Sequence, residues 1–243
     1  MSRILILKTG ETLPALSATL GDFEDWIVTV ADRPAEDFRT VSVHLGESLP
    51  AHADVTGIIV TGSPAMVTDT DAWIRDSEAF LRLAVERNVP VLGVCFGHQM
   101  LAQALGGHVD YHPRGREIGT TELTLHASAA DDALFNVLPG SFPVHATHMQ
   151  SVMRVPKHAV ILAGNAFDPH HGVRFADRAW GVQFHPEFDA TIMAGYLTER
   201  AEQVNAEGLD AQALLAQVKE TPEAAALLRR FASLCNQESH WPV

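Results

Sequence analysis

Only two cysteines, Cys95 and Cys235, occur in the 243 residues. No disulfide framework is expected, and the role read below for Cys95 needs a free thiol, which points to a reducing compartment. Long apolar runs are missing too. No segment approaches the roughly 20 uninterrupted apolar residues of a membrane helix, and Met1 to Lys8 is too short for a signal peptide. A cytoplasmic protein is the expectation. Basic residues are scarce, 17 Lys and Arg against 30 Asp and Glu, and the formal charge of −13 would repel nucleic acid and anionic lipid. There is no P-loop, no Gly-x-Gly-x-x-Gly and no internal repeat, so no ATP or dinucleotide cofactor is expected within the chain.

What is present is a sharp strand-to-helix turn. The apolar run Val89-Pro90-Val91-Leu92 leads into Gly93-Val94-Cys95-Phe96-Gly97-His98-Gln99, then into helix-like Met100 to Leu105, which stops at Gly106-Gly107. A strand that turns into a helix at Gly-x-Cys-x-Gly lifts the sulfur out of the sheet, and small residues two places before and after it let strand and helix approach each other. At a helix N-terminus free N–H groups and the helix dipole favour a thiolate. Taken alone, Cys95 also reads as an ordinary buried thiol closing a core strand.

A base and its orienting acid would resolve that choice. Ala179 to Phe184 reads as a buried strand ending in His185-Pro186-Glu187-Phe188. In extended backbone, residues i and i+2 point to the same side, so Glu187 can hold one imidazole nitrogen of His185 while the other faces the thiol. Pro186 fixes the local geometry. His-Pro-Glu alone reads first as a strand-end turn; together with the elbow it reads as part of a catalytic triad.

Carrying Cys95, His185 and Glu187 in that order, with a G-x-C-x-G elbow and an H-P-E ending, the chain resembles the class I (triad-type) glutamine amidotransferases over Arg3 to about Tyr196. It is most similar to stand-alone domains related to the amidotransferase half of GMP synthetase, and close to the γ-glutamyl peptidase branch through Thr61-Gly62-Ser63 and Trp73. The resemblance implies hydrolysis of glutamine to glutamate and ammonia through a cysteinyl thioester, with a γ-glutamyl peptidase and a non-catalytic interaction domain of the same fold as alternatives. An intact triad argues against the last. It implies an oxyanion hole from the backbone of Phe96, Gly62 and Ser63. It further implies that Gln99 and the backbone of Met149, Gln150 and Ser151, in the segment His148-Met149-Gln150-Ser151-Val152, hold the α-amino acid end. The family pattern has Gly-Gly-Pro where this chain has Gly62-Ser63-Pro64, and an acidic residue where it has Gln150. Gly115-Arg116-Glu117-Ile118-Gly119 also resembles a segment near the site, or is a strand-edge turn. The partner implied for an amidotransferase is a separate ATP-dependent synthetase; a homo-oligomer stays open.

The first half alternates strand-like and helix-like stretches: Arg3 to Lys8, Leu13 to Leu20, Thr40 to Leu45, Gly57 to Thr61, Ala72 to Arg87 and Val89 to Val94. Such alternation predicts a three-layer α/β/α, flavodoxin-like open sheet, mainly parallel. The loops Thr9-Gly10-Glu11, Thr61 to Pro64 and Cys95 then converge at the carboxyl ends of strands. Short segments at Thr120 to His126, Phe142 to His145, Val160 to Ala163, Gly172 to Ala176 and Trp180 to Phe184 predict antiparallel additions. Helical patterns over Thr191 to Asn205, Asp210 to Lys219 and Glu223 to Asn236 predict a C-terminal extension. The division expected is residues 1–196 as the amidotransferase domain and 197–243 as a helical extension packed on it.

The 13 histidines include His108 with His112, His145 with His148, and His170-His171 beside Asp168, without His-Glu-x-x-His or paired cysteines. They read as surface or loop histidines, and no metal is expected; Cys235 with His240 reads as incidental.

Overall fold

β1 (Arg3–Lys8) is apolar and buried from Ile4 onward, as a strand covered on both faces must be. Its side chains alternate: Ile4 and Ile6 enter one core with Ile59, Leu92, Val94 and Trp180, whereas Leu5 and Leu7 enter a second with Ile58, Val60, Val91 and Phe96. Two cores on opposite faces of one sheet make three layers. The computed structural model describes residues 3–235.

After β1 come α1 (Pro14–Leu20), α2 (Phe23–Ala31), β2 (Phe38–Ser42), β3 (Val55–Val60), α3 (Ala72–Glu86), β4 (Val91–Val94) and α4 (Phe96–Ala104). The second half holds β5 (His108–Tyr111), β6 (Glu117–Leu125), β7 (Ser141–His148), β8 (Gln150–Arg154), β9 (Val160–Gly164), β10 (Gly172–Ala176) and β11 (Ala179–Val182). α5 (Ala190–Glu199), α6 (Ala201–Ala206), α7 (Ala211–Leu215) and α8 (Pro222–Leu234) follow. Among the described residues the main sheet has nine strands in the order β2-β1-β3-β4-β11-β10-β9-β6-β7, and β5 pairs with β8 separately. β2, β1, β3, β4 and β11 run parallel; β10, β9, β6 and β7 are added antiparallel. This is the flavodoxin-like open sheet expected, with helices on both faces and at the C-terminus.

Several elements differ from expectation. α2 is an addition to the predicted helices, although Asp22 and Asp25 form a reciprocal capping box at its start. The strand placed at Thr40 to Leu45 is β2 followed by a tight 3-10 turn over Val43–Leu45, and β5 and β8 are additions as well. The single helix over Thr191 to Asn205 breaks at Arg200 into α5 and α6, and that over Asp210 to Lys219 is only the short α7. Asp210 caps it as its sequence suggests, its side chain accepting from Ala213 N–H at 2.9 Å. α8 buries Leu227, Leu228 and Phe231 in the core that holds Trp180; Asn236 and His240, which entered two of the expectations, lie outside the described residues.

Candidate active site

Cys95 stands between β4 and α4 with φ 52° and ψ −103°, a region that costs a non-glycine residue about 1–3 kcal/mol. The neighbours hold it there. Its N–H donates to Val182 O at 2.8 Å, tying it to β11, and Gly97 N–H donates to Thr61 O at 3.2 Å. A Cβ on Gly93 would lie 2.4 Å from Gly97 O, and one on Gly97 2.5 Å from Val60 O. Both flanking glycines are therefore demanded by backbone approach, the reason read from the sequence.

The strand beside β4 is β11, paired Val94 to Val182, and the chain leaving β11 carries His185 to the same end of the sheet. His185 Nδ1 lies 2.8 Å from Glu187 Oε1; the two residues are 2% and 1% exposed. The ring stacks on Phe188 at 4.0 Å between centroids, with Phe23 to one side at 6.2 Å from the imidazole and 6.4 Å from Phe188. Burial disfavours its charged form, but Glu187 and Cys95 outweigh that and push His185 up to about 10. Cys95 Sγ points toward Thr147 O at 3.8 Å, and it also lies within reach of the His185 ring, where its interaction helps to hold the imidazole charged.

Cys95, Phe96, Gln99, His185, Ser63 and Glu11 line one cavity of about 420 Å³. The three loops do converge. Gly62 lies beneath the wall, against His185 Cε1. Ser63 Oγ donates to Thr9 O at 2.8 Å and accepts from Ala65 N–H at 3.1 Å, so its side chain fixes the loop at the cavity wall. Gln99 lines the cavity, but its amide NH2 donates to Gln150 O at 2.7 Å and to Gln183 Oε1 at 3.0 Å, leaving its carbonyl oxygen to offer a ligand. Met149 and Gln150 are in the wall. Ser151, expected beside them, is buried behind it, with Oγ 3.4 Å from His148 Nδ1.

From His148 in that wall a polar network that sequence reasoning did not assemble runs inward. Glu117 Oε2 is 2.9 Å from His148 Nε2 and 2.8 Å from His171 Nε2, and Glu117 Oε1 accepts from Asn165 at 2.7 Å. Burial would raise the Glu117 carboxyl, but the hydrogen bonds from His148 and His171 prevail and hold it well below the usual carboxylate range. His148 Nδ1 in turn lies 3.0 Å from Gln150 O, which Gln99 also holds. The reading of these histidines as surface groups is corrected: His98, His145, His148 and His171 are all buried. Glu117, His148 and His171 could present three atoms within 4.8 Å of one another to a cation, but their direct hydrogen bonds already satisfy them. Cys235 is buried against Gly57, and burial pushes its thiol up.

Arg116, in the segment whose resemblance placed it near the site or in a strand-edge turn, lines the cavity, whereas Phe23, Phe188, Tyr196 and Arg200 were not expected there. Phe188, directly after His-Pro-Glu, carried a signal; the others come from distant segments.

Among solved structures the fold is similar to a glutamine amidotransferase from Thermotoga maritima (TM-score 0.78, 19% identity, covering 98% of this chain and 100% of that one). A glutamine amidotransferase from Methylobacillus flagellatus is also similar (TM-score 0.74, 21% identity, 99% and 98%). In sequence, the glutamine-hydrolyzing GMP synthase of Aeropyrum pernix is 36% identical over 143 residues, 59% of this chain but only 26% of that protein. The chain thus spans about a quarter of that relative's length. A separate subunit of the glutamine-hydrolyzing GMP synthase of Halobacterium salinarum is 34% identical over 158 residues, 64% of this chain and 80% of that one. No helix among the described residues is long and apolar enough to cross a membrane. Residues 30–202, from α2 through the elbow and the His-Pro-Glu turn into α6, match the model of the class I glutamine amidotransferases, and the chain belongs to that family.

Proposed function

We propose that the chain hydrolyses a γ-glutamyl amide, glutamine first, through a thioester on Cys95. The observation that carries this is the strained Cys95 at the helix start, opening on the same cavity as a His185 ring clamped by Glu187. His185 takes the thiol proton, and the sulfur attacks the amide carbonyl. The oxyanion receives N–H groups from Phe96 and the Gly62-Ser63 backbone, fixed in advance by the Thr9 contacts. The C–N bond breaks as His185 returns the proton to nitrogen, releasing ammonia or an amine. Water, deprotonated by His185, then cleaves the thioester to give glutamate and the free thiol. Glu187 orients the ring and stabilises its charged form.

In this reading residues 1–196 carry the chemistry and 197–243 form an extension. Where ammonia is the product, a separate ATP-dependent synthetase is the partner to receive it, in keeping with the similarity to GMP synthases in which this part is a chain of its own. A second reading, γ-glutamyl peptidase, is favoured by the width of the cavity, since ammonia needs no room and the wall continues to Arg200 and Gln203. The test is glutamate release from glutamine and from γ-glutamyl dipeptides, with Cys95→Ala as the blank. Faster cleavage of the peptides selects the peptidase; cleavage of glutamine alone selects the amidotransferase. Equal release by Cys95→Ala would overturn both.

A further inference from the structure

Two arginines stand in the wall of the Cys95 cavity, and one carboxylate serves them. Arg116, just before β6, is buried and forks onto Glu207, Nε to Oε2 at 2.7 Å and Nη2 to Oε1 at 3.0 Å. Its Nη2 also lies 3.1 Å from Met149 Sδ, a thioether and hence a weak acceptor. Arg200, at the break between α5 and α6, donates Nη1 to Gln203 Oε1 at 3.1 Å, and its buried Nε has no partner among the described residues. Burial first, and then the like charge of Arg116, disfavour the charged form of Arg200. Guanidinium is a planar donor group that keeps its charge and matches a carboxylate in geometry, so one positive charge here is left without its anion. Glu11 is the only carboxylate residue in the cavity wall among the described residues, and it is exposed.

Resting on the function proposed above, we infer that Arg200, with Arg116 beside it, forms a subsite of the Cys95 cavity that binds a carboxylate of the γ-glutamyl substrate. Two carboxylates have this chemistry: the α-carboxylate of the glutamyl group and a carboxylate on the leaving group. The contact of Arg116 with Met149, beside Gln150 and Gln99, favours the α-carboxylate. The extension beyond the triad is then part of the substrate site, since Arg200 and Glu207 both follow Tyr196.

The test uses binding rather than turnover. In the full-length Cys95→Ala protein, titration calorimetry would measure glutamine, glutamine α-amide, γ-glutamylglycine and γ-glutamylglycinamide, each with and without Arg200→Met. Loss of a hydrogen-bonded charge is expected to weaken binding about 10- to 100-fold, with partial rescue by Arg200→Lys. Weaker binding of glutamine with no change for its α-amide assigns the α-carboxylate. A loss confined to γ-glutamylglycine and absent for its amide assigns the leaving group. Equal affinities with and without Arg200→Met, or equal losses for all four compounds, would overturn the subsite, as would failure of all four to bind the parent. Binding that follows this pattern in a protein whose Cys95 form turns nothing over would sink the catalytic proposal and leave the subsite standing.

Discussion

Gly62 lies against the imidazole of His185, so close that a methyl group there would sit 2.9 Å from Cε1. The loop that would cradle the oxyanion and the ring that would move the proton are therefore one packed unit. Gly62→Ala should fold normally and lose about a hundredfold in kcat, the scale of a small misplacement of reacting groups. Steady-state kinetics beside a melting curve would test it.

Cys95→Ala should remove glutamate release without unfolding the protein, and Cys235→Ala should leave activity in place. His185→Ala should cost several orders of magnitude in kcat and Glu187→Gln less, because a residue that orients the base contributes less than the base. Equal losses for Glu187→Gln and Cys95→Ala would show that Glu187 has another role.

Glu117→Gln should destabilise the protein by about 3 kcal/mol, as expected when one member of a buried charged network is removed. It should also raise KM more than it lowers kcat, because Glu117 acts through His148 on the Gln150 carbonyl that Gln99 also holds. Denaturant unfolding and a KM against kcat comparison separate the two effects.

Stability should peak near neutral pH. Burial holds His145 neutral, down to about 4 from 6.5, with the neighbouring His185 adding to the effect. Burial likewise lowers His98 to about 3. Below the ordinary value the unfolded chain takes up more protons, so the stability present above pH 6.5 is lost as the pH falls toward 4 and 3. Glu117, lowered in the folded state, adds a loss below about pH 4.5. His185, raised to about 10, works the other way: its contribution is full below pH 6.5 and disappears as pH rises through 10. Melting temperature against pH should fall on both sides, and His145→Gln should flatten the limb between pH 6.5 and 4.

The sheet and the elbow were legible because each rests on local rules. Apolar runs such as Ile4 to Leu7 are what a doubly covered strand needs, and Gly93 and Gly97 stand where strand and helix backbones touch. Less legible was whatever joins segments far apart in the chain. Glu117, His148 and His171 are scattered polar residues until β6, β7 and the turn before β10 bring them together. Phe23 looks like an ordinary core residue, yet it packs beside the imidazole that Phe188, next to His-Pro-Glu, stacks on. The break at Arg200 escaped because the apolar spacing continues across it, although the backbone does not.

Val94 faces Val182 on neighbouring parallel strands, and Cys95 N–H reaches back to Val182 O. The ladder between β4 and β11, rather than the connection that joins them, sets the separation of sulfur and ring. Between them, only the segments that do not touch the site can change length without moving the nucleophile from its base, because Gly97 is wedged against Val60 and the His145 carbonyl accepts from His185 N–H at 2.8 Å.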